Sequence, residues 1–185
     1  MLKLLGISGS LRRGSYNSAL LRAATGLMPP DATLEVASIR AIPLYDGDLE
    51  AQGIPAAVSE LKEAVVAAAG VLLVTPEYNN SIPGVFKNTI DWLSRPNSDV
   101  KRVFRGRPFA VIGASPGGFG TTLSQAAWLP VLRTLGAQFW AGGRLQVSRA
   151  GSVFDEAGNL KDPAIGEQLK EFLAGYTQFV RRAAL

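Results

Sequence analysis

Gly9-Ser10-Leu11-Arg12-Arg13-Gly14-Ser15-Tyr16-Asn17 lies between an apolar run, Leu2 to Ile7, and a segment, Ser18 to Met28, whose apolar residues recur at helical spacing. A glycine-flanked, hydroxyl-rich turn from a strand into a helix presents several backbone N–H groups and the positive end of that helix to one point in space. That point suits a phosphate. Arg12 or Arg13 can add a planar charged fork, and Ser10, Ser15 and Asn17 can add neutral donors. The same residue types are ordinary turn formers, and any such turn ends in a cap, here Ser15 or Asn17. The rest of the chain decides between the two readings.

Working outward, Pro29-Pro30-Asp31 breaks the first helix and Thr33 to Ser38 predicts a short second strand. Ile42 to Asp48 reads as an irregular loop. A helix then follows Pro55, its core face formed by Val58, Leu61, Val65 and Val66, and runs to about Ala69. Val71-Leu72-Leu73-Val74 is a continuous apolar run, the habit of a central strand in a parallel sheet covered on both faces. It leads into Pro76-Glu77-Tyr78-Asn79-Asn80-Ser81-Ile82-Pro83-Gly84, a loop rich in rigid and hydrogen-bonding residues, and then into a short helix, Val85 to Leu93. Asp99 to Pro108 reads as a solvated basic connection. Phe109 to Ala114 predicts a fourth strand, followed by a third special loop, Ser115 to Thr121. The next helix, Thr122 to Leu135, contains Pro130, which should kink or interrupt it. Gln138 to Ala141 and Leu145 to Val147 make the last strand, broken at Gly142-Gly143, and Pro163 to Arg182 a final amphipathic helix.

This alternation predicts an α/β fold, a doubly wound five-stranded parallel sheet in three layers with the flavodoxin-like order 2-1-3-4-5, spanning residues 1–185 as one domain. In such a sheet the loops leaving strands 1, 3 and 4 lie along one edge.

Composition narrows the chemistry. The 185 residues include no cysteine and no histidine, which removes disulfides, Cys/His metal sites, a Cys nucleophile and a Ser-His-Asp triad. No metal site is expected, and redox chemistry would come from a bound cofactor. The net charge of +4 is scattered in pairs such as Arg12-Arg13, which argues against nucleic acid as a partner. The longest apolar stretch, Ala64 to Val74, is too short for a bilayer, so a cytoplasmic location is expected. Gly9 to Ser15 has the GxxxxG spacing of a nucleotide-hydrolysing loop but lacks its lysine, and no GxGxxG follows the first strand.

A phosphate loop, a rigid aromatic loop and a glycine loop on one edge match a flat ligand with a phosphate tail, as in flavin mononucleotide (FMN). The first loop would take the phosphate. Tyr78, Ile82 and Pro83 would flank the ring, backbone N–H groups from Glu77 to Asn80 would face its polar edge, and Gly117 and Gly118 would let main chain approach closely. On Gly9 to Asn17, Thr75-Pro76-Glu77-Tyr78-Asn79, Ile82-Pro83-Gly84, Lys87-Asn88, Ile90 to Arg95, and Ser115 with Gly117 and Gly120, the chain resembles the NADPH-dependent FMN reductase family of quinone, chromate and azo-dye reductases.

That resemblance implies FMN held by Ser10, Arg12, Ser15 and Asn17, with Leu11, Arg13, Gly14 and Tyr16 in the same loop. It also implies that Pro76, Glu77, Tyr78 and Asn79 contact the isoalloxazine and that Ser115 is a further contact. NADPH or NADH would be co-substrate to a small-molecule electron acceptor. The expected scheme is ping-pong hydride transfer through one site, with no acid–base histidine required and Glu77 either structural or catalytic. Arg102 or Arg105 would favour the phosphorylated nicotinamide. A homodimer or homotetramer is expected, its interface offering a place for some of Trp92, Trp128 and Trp140, although ordinary core packing is the commoner role for any one of them. The alternative is a non-catalytic electron carrier or redox-sensing flavoprotein.

Overall fold

The computed structural model describes residues 1–183. Four strands, β1 (Leu2–Ser8), β2 (Ala32–Ala37), β3 (Gly70–Val74) and β4 (Pro108–Ala114), run parallel in the order β2-β1-β3-β4. The next position is shared by two short strands, β5 (Gln138–Phe139) and β6 (Gln146–Val147). β5 pairs with the start of β4 and β6 with its end. The expected last strand is thus two pieces, split around Gly142-Gly143.

Alternation along each strand builds two cores. Leu4, Leu72, Val74, Ala110 and Ile112 face one side, where α1 (Tyr16–Gly26) and the long α8 (Pro163–Ala183) bury Leu20, Leu21, Leu169 and Leu173. Leu5, Ile7, Val71, Leu73, Phe109 and Val111 face the other side. There they meet α3 (Ala56–Ala67), α4 (Gly84–Leu93) and α6 (Thr122–Thr134). Every residue of β3 is buried, as its unbroken apolar run requires. Each large aliphatic side chain so buried contributes about 1.5–3 kcal/mol.

Three local expectations are corrected. α6 is not interrupted at Pro130, because Pro130 and Ala126 are exposed. The one carbonyl that loses its partner therefore meets solvent, while buried Trp128 and Leu132 hold the helix on either side. The irregular loop holds from Ile42 to Asp46, but its last two expected residues open a short helix, α2 (Gly47–Ala51), capped by the Asp46 carboxylate on the Asp48 N–H at 2.9 Å. The basic connection is not merely solvated. It folds into α5 (Val100–Val103), burying Val103 and Phe104, and Asp99 holds the buried Lys62 ammonium at 2.9 Å. α7 (Ala150–Val153) completes the elements.

Two of the three tryptophans are buried within the single chain. Trp92 is buried and donates to the Pro43 carbonyl at 2.9 Å. Trp128 is buried edge-on to Phe86, and Trp140 packs on Phe172 and Tyr176.

Candidate active site

β1, β3 and β4 end side by side, with Ser8 beside Val74 and Val74 beside Ile112. Their three loops therefore leave one edge of the sheet. A cavity of about 300 Å³ opens among them, lined from the first loop by Ser10, Arg12, Gly14, Ser15, Tyr16 and Asn17. The second loop adds Pro76, Glu77 and Tyr78, and the third adds Ser115 and Pro116 beyond Ala114. This volume falls at the lower end of the range for small-molecule sites.

The first loop ends at Ser15, the N-cap of α1, whose Oγ accepts from the Ser18 N–H at 3.2 Å. Tyr16 and Asn17 open the helix, where N–H groups have no carbonyl one turn earlier to bond. The first turn of α1 contains no acidic residue to neutralise the helix dipole. Donors, dipole and the exposed Arg12 thus meet at one wall of the cavity.

The predicted residues divide by what they touch. The Asn17 side chain is tied to β4: its Nδ2 donates to the Ala114 carbonyl at 2.8 Å and its Oδ1 accepts from the Ala114 N–H at 2.9 Å. This peptide-like clamp locks the first loop to the third and leaves the Asn17 backbone N–H for a ligand. Leu11 packs into the core on the α3–α4 side and does not line the cavity. Arg13 also lies away from it, against the turn after α7 and the chain leaving β2. Tyr16 stacks on Phe154, ring centres 5.9 Å apart, which fixes its ring as a wall.

In the second loop, Asn79 and Asn80 both have positive φ, 50° and 60°. Tyr78 and Ser81 exchange backbone hydrogen bonds of 3.2 and 3.0 Å across them. This is the tight turn that asparagine tolerates best after glycine. It holds Tyr78 half exposed, at 51%, beside the cavity, and it occupies the Tyr78 N–H that the sequence had assigned to a ligand. Asn79 stands on the exposed tip of the turn and does not line the cavity. The Glu77 carboxylate accepts from the N–H groups of Leu123 and Ser124 at 2.8 and 2.9 Å. It caps α6 from a distance, a task that the N-cap residue Thr121 leaves undone.

Gly117 and Gly118 are exposed, with nothing crowding Gly118 and only Ser115 Oγ, at 3.7 Å, near the place of a Cβ on Gly117, which leaves their backbone open to a ligand. Within the protein itself, close packing demands glycine at Gly113, where a Cβ would lie 2.1 Å from the Thr75 carbonyl, and at Gly120, with φ of 63° against Gln146. Ser115 donates to the Gly120 carbonyl at 2.6 Å and so closes the third loop on itself. Arg102 and Arg105 precede β4 and lie at the opposite edge of the sheet, where Arg102 is paired with Glu63 and Asp99. They cannot reach a nicotinamide at this site.

The donor set fits an FMN phosphate on the first loop, with Tyr78 and Ser115 beside the space for a ring. Comparison with known proteins shows the family. The model of the family described as NADPH-dependent FMN reductase matches residues 2–151. The chain belongs to this family. It is a flavoenzyme fold of the FMN- and NAD(P)H-using kind, and among its relatives is an NAD(P)H-dependent FMN reductase of Pseudomonas aeruginosa, 44% identical over 98% of this chain and 96% of that one. A 2-hydroxy-1,4-benzoquinone reductase of a Burkholderia species is 35% identical over 97% of each chain. The solved structure of FerB, a flavoenzyme NAD(P)H:(acceptor) oxidoreductase of Paracoccus denitrificans, superposes with a TM-score of 0.88 at 30% identity, covering 99% of both chains. Residues after 151, including α8, fall outside the family model but inside these full-length matches.

Proposed function

We propose that this flavoenzyme passes two electrons from NAD(P)H to a quinone or a free flavin, with azo compounds and chromate as further acceptors, through one site that donor and acceptor occupy in turn. The observation that carries this reading is the single cavity on which all three loops converge, with one charged fork and a helix terminus on one wall. Arg12, the Ser15 hydroxyl and the N–H groups of Tyr16 and Asn17 hold the FMN phosphate. Ser10 and Gly14 shape the loop around it. Tyr78 and Pro76 orient the ring, and Ser115 closes its far side. Bound FMN supplies the hydride acceptor and donor that a chain without histidine or cysteine lacks. Glu77 acts by positioning, since its carboxylate is spent on α6.

Residues 1–185 form one flavin-binding unit in this reading, and the enzyme works as a cytoplasmic homo-oligomer. Phe119, Leu123 and Leu129 support the oligomer: all three are exposed, on α6 and the loop before it, as apolar side chains on a surface meant for contact are. Among the described residues no helix is long and apolar enough to cross a membrane.

The test is the visible spectrum of the purified protein before and after anaerobic NADPH, followed by initial rates with NADPH and a quinone both varied. A yellow protein bleached by NADPH, with parallel double-reciprocal lines, is expected. A colourless protein that cannot be reconstituted with FMN overturns the reading. Converging lines overturn the alternating scheme alone, and a flavin that NADPH leaves oxidised would mark a carrier.

A further inference from the structure

A second cavity, of about 310 Å³, lies on the other side of the first loop, between that loop, α1 and the chain leaving β2. Arg12, Arg13, Arg22 and Arg40 line it together with the hydroxyls of Ser8 and Ser18, which meet each other at 3.0 Å. No carboxylate lines it, and among the described residues none of the four guanidinium groups has an ion-pair partner. Arg22 directs its Nη2 to the Gly158 carbonyl at 3.3 Å, but positive charges gathered around one concavity without a carboxylate repel one another, and a multiply charged anion relieves that repulsion. Arg40 is not a free surface side chain. Its Nη2 donates to the Leu11 carbonyl in the first loop, and its N–H donates to Ser38 Oγ at 3.2 Å. The guanidinium is thereby held against the cavity rather than sweeping through solvent.

The chemistry of the lining narrows the ligand. In dinucleotide-binding Rossmann sheets, whose GxGxxG turn this chain lacks, the residues near the end of the second strand meet the adenosine ribose. An acid there accepts the 2′-hydroxyl of NADH, whereas an arginine accommodates the 2′-phosphate of NADPH. Here β2 is followed by Ser38, Ile39 and Arg40, and its acid, Glu35, is drawn to Lys3 at 4.0 Å and does not line the cavity. We propose that this cavity is a phosphate-monoester site distinct from the flavin phosphate site, and that the ribose 2′-phosphate of NADPH is the group it takes. The proposal rests on the reading of the enzyme as an NAD(P)H-dependent reductase. Arg12, which lines both cavities, is the shared wall between the two anions.

The test is calorimetric titration of the flavin-loaded protein with adenosine 2′,5′-bisphosphate, 5′-AMP and inorganic phosphate, in wild type, Arg40→Gln and Ser38→Asp. Arg40→Gln removes a charged donor, and Ser38→Asp adds a repelling carboxylate without touching the bond from Arg40 to Leu11. Each is expected to weaken the bisphosphate at least about tenfold, the scale of a charged hydrogen bond. KM for NADPH should rise accordingly, with KM for NADH and the flavin spectrum unchanged in Ser38→Asp, which leaves the first loop tied to Arg40. Equal bisphosphate affinity in all three proteins overturns the site. Inorganic phosphate binding as tightly as the bisphosphate, with the same loss in the variants, overturns the dinucleotide as its source. Loss of flavin from wild type would count against the proposed function instead, and is read separately from the spectrum.

Discussion

The two edges of the sheet use the same kinds of polar residue to opposite ends. At the amino-terminal edge Tyr176, Arg107 and Lys62 are satisfied from within, although the buried Thr177 hydroxyl has no protein partner among the described residues. The buried Tyr176 hydroxyl donates to the carbonyls of Val71 and Pro108 at 2.9 and 3.0 Å, tying the starts of β3 and β4, and burial pushes its phenol well above the usual range. Arg107 spends its guanidinium on the carbonyls of Val103, Val66 and Ala68, closing the end of α3, and burial lowers its pKa. Lys62 is held by Asp99 and by the Arg95 carbonyl. At the carboxyl-terminal edge, Arg12, Arg13 and Arg40 have no carboxylate partner among the described residues, and the first N–H groups of α1 point at a cavity. A saturated edge stabilises the fold. An unsaturated edge stores binding capacity that a ligand completes.

The sharpest way to break this contrast is to empty the closed edge. Asp99→Ala leaves the Lys62 ammonium buried with only a carbonyl partner, and should cost about 3 kcal/mol of unfolding free energy by urea titration. Flavin affinity should not change. Hydrogen bonding from Lys62 holds the Asp99 carboxyl below its ordinary value. Its folded pKa is thus lower than its unfolded one, so the pair's contribution is complete above the unfolded value and is lost as pH falls through the folded one. The gap between wild type and Asp99→Ala should narrow below about pH 4; a gap that persists there would dismiss the ion pair as its source.

At the open edge the effect should reverse. Arg12→Ala should weaken FMN retention by about 1.5–3 kcal/mol, read by fluorescence titration of the stripped protein, with little change in stability. Arg13→Ala should leave FMN retention nearly intact, because Arg13 does not line the three-loop cavity. The reverse order would move the phosphate to the other side of the loop. Tyr176→Phe returns to the closed edge with a smaller loss, about 1–2 kcal/mol in the midpoint of chemical unfolding, since only a neutral donor is removed. Glu77→Gln should be mildest, about 1 kcal/mol or less, because the amide oxygen still caps α6. Quinone turnover falling by orders of magnitude in that variant would make Glu77 part of the chemistry.

Most of the fold could be read from periodicity. The continuous apolar run at Val71 and the helical spacing after Asn17 and before Arg182 depend only on which faces are buried, and they correspond to β3, α1 and α8. The site was legible at the level of loops, because Gly, Ser, Asn and Arg cluster where a strand meets a helix. It was not legible residue by residue. Asn17 and Glu77 have the donor and acceptor chemistry of ligand contacts, yet the partners that occupy their side chains, Ala114 and the start of α6, lie 97 and 46 positions away in the chain. Lys62 gave no signal of its burial for the same reason, since Asp99 and Arg95 come from other elements.

The order of hydrophobic and polar residues along the chain thus fixed the alternation of strands and helices, the three loops and the absence of any thiol or imidazole, since these depend on local spacing and residue chemistry alone. Which arginine faces the three-loop cavity, which glycines are crowded and which polar side chains are already spent on the protein itself were settled only when β1, β3 and β4 lay side by side. A hydrogen bond needs both partners within about 3 Å, and only the assembled sheet brings together groups that the sequence keeps so far apart.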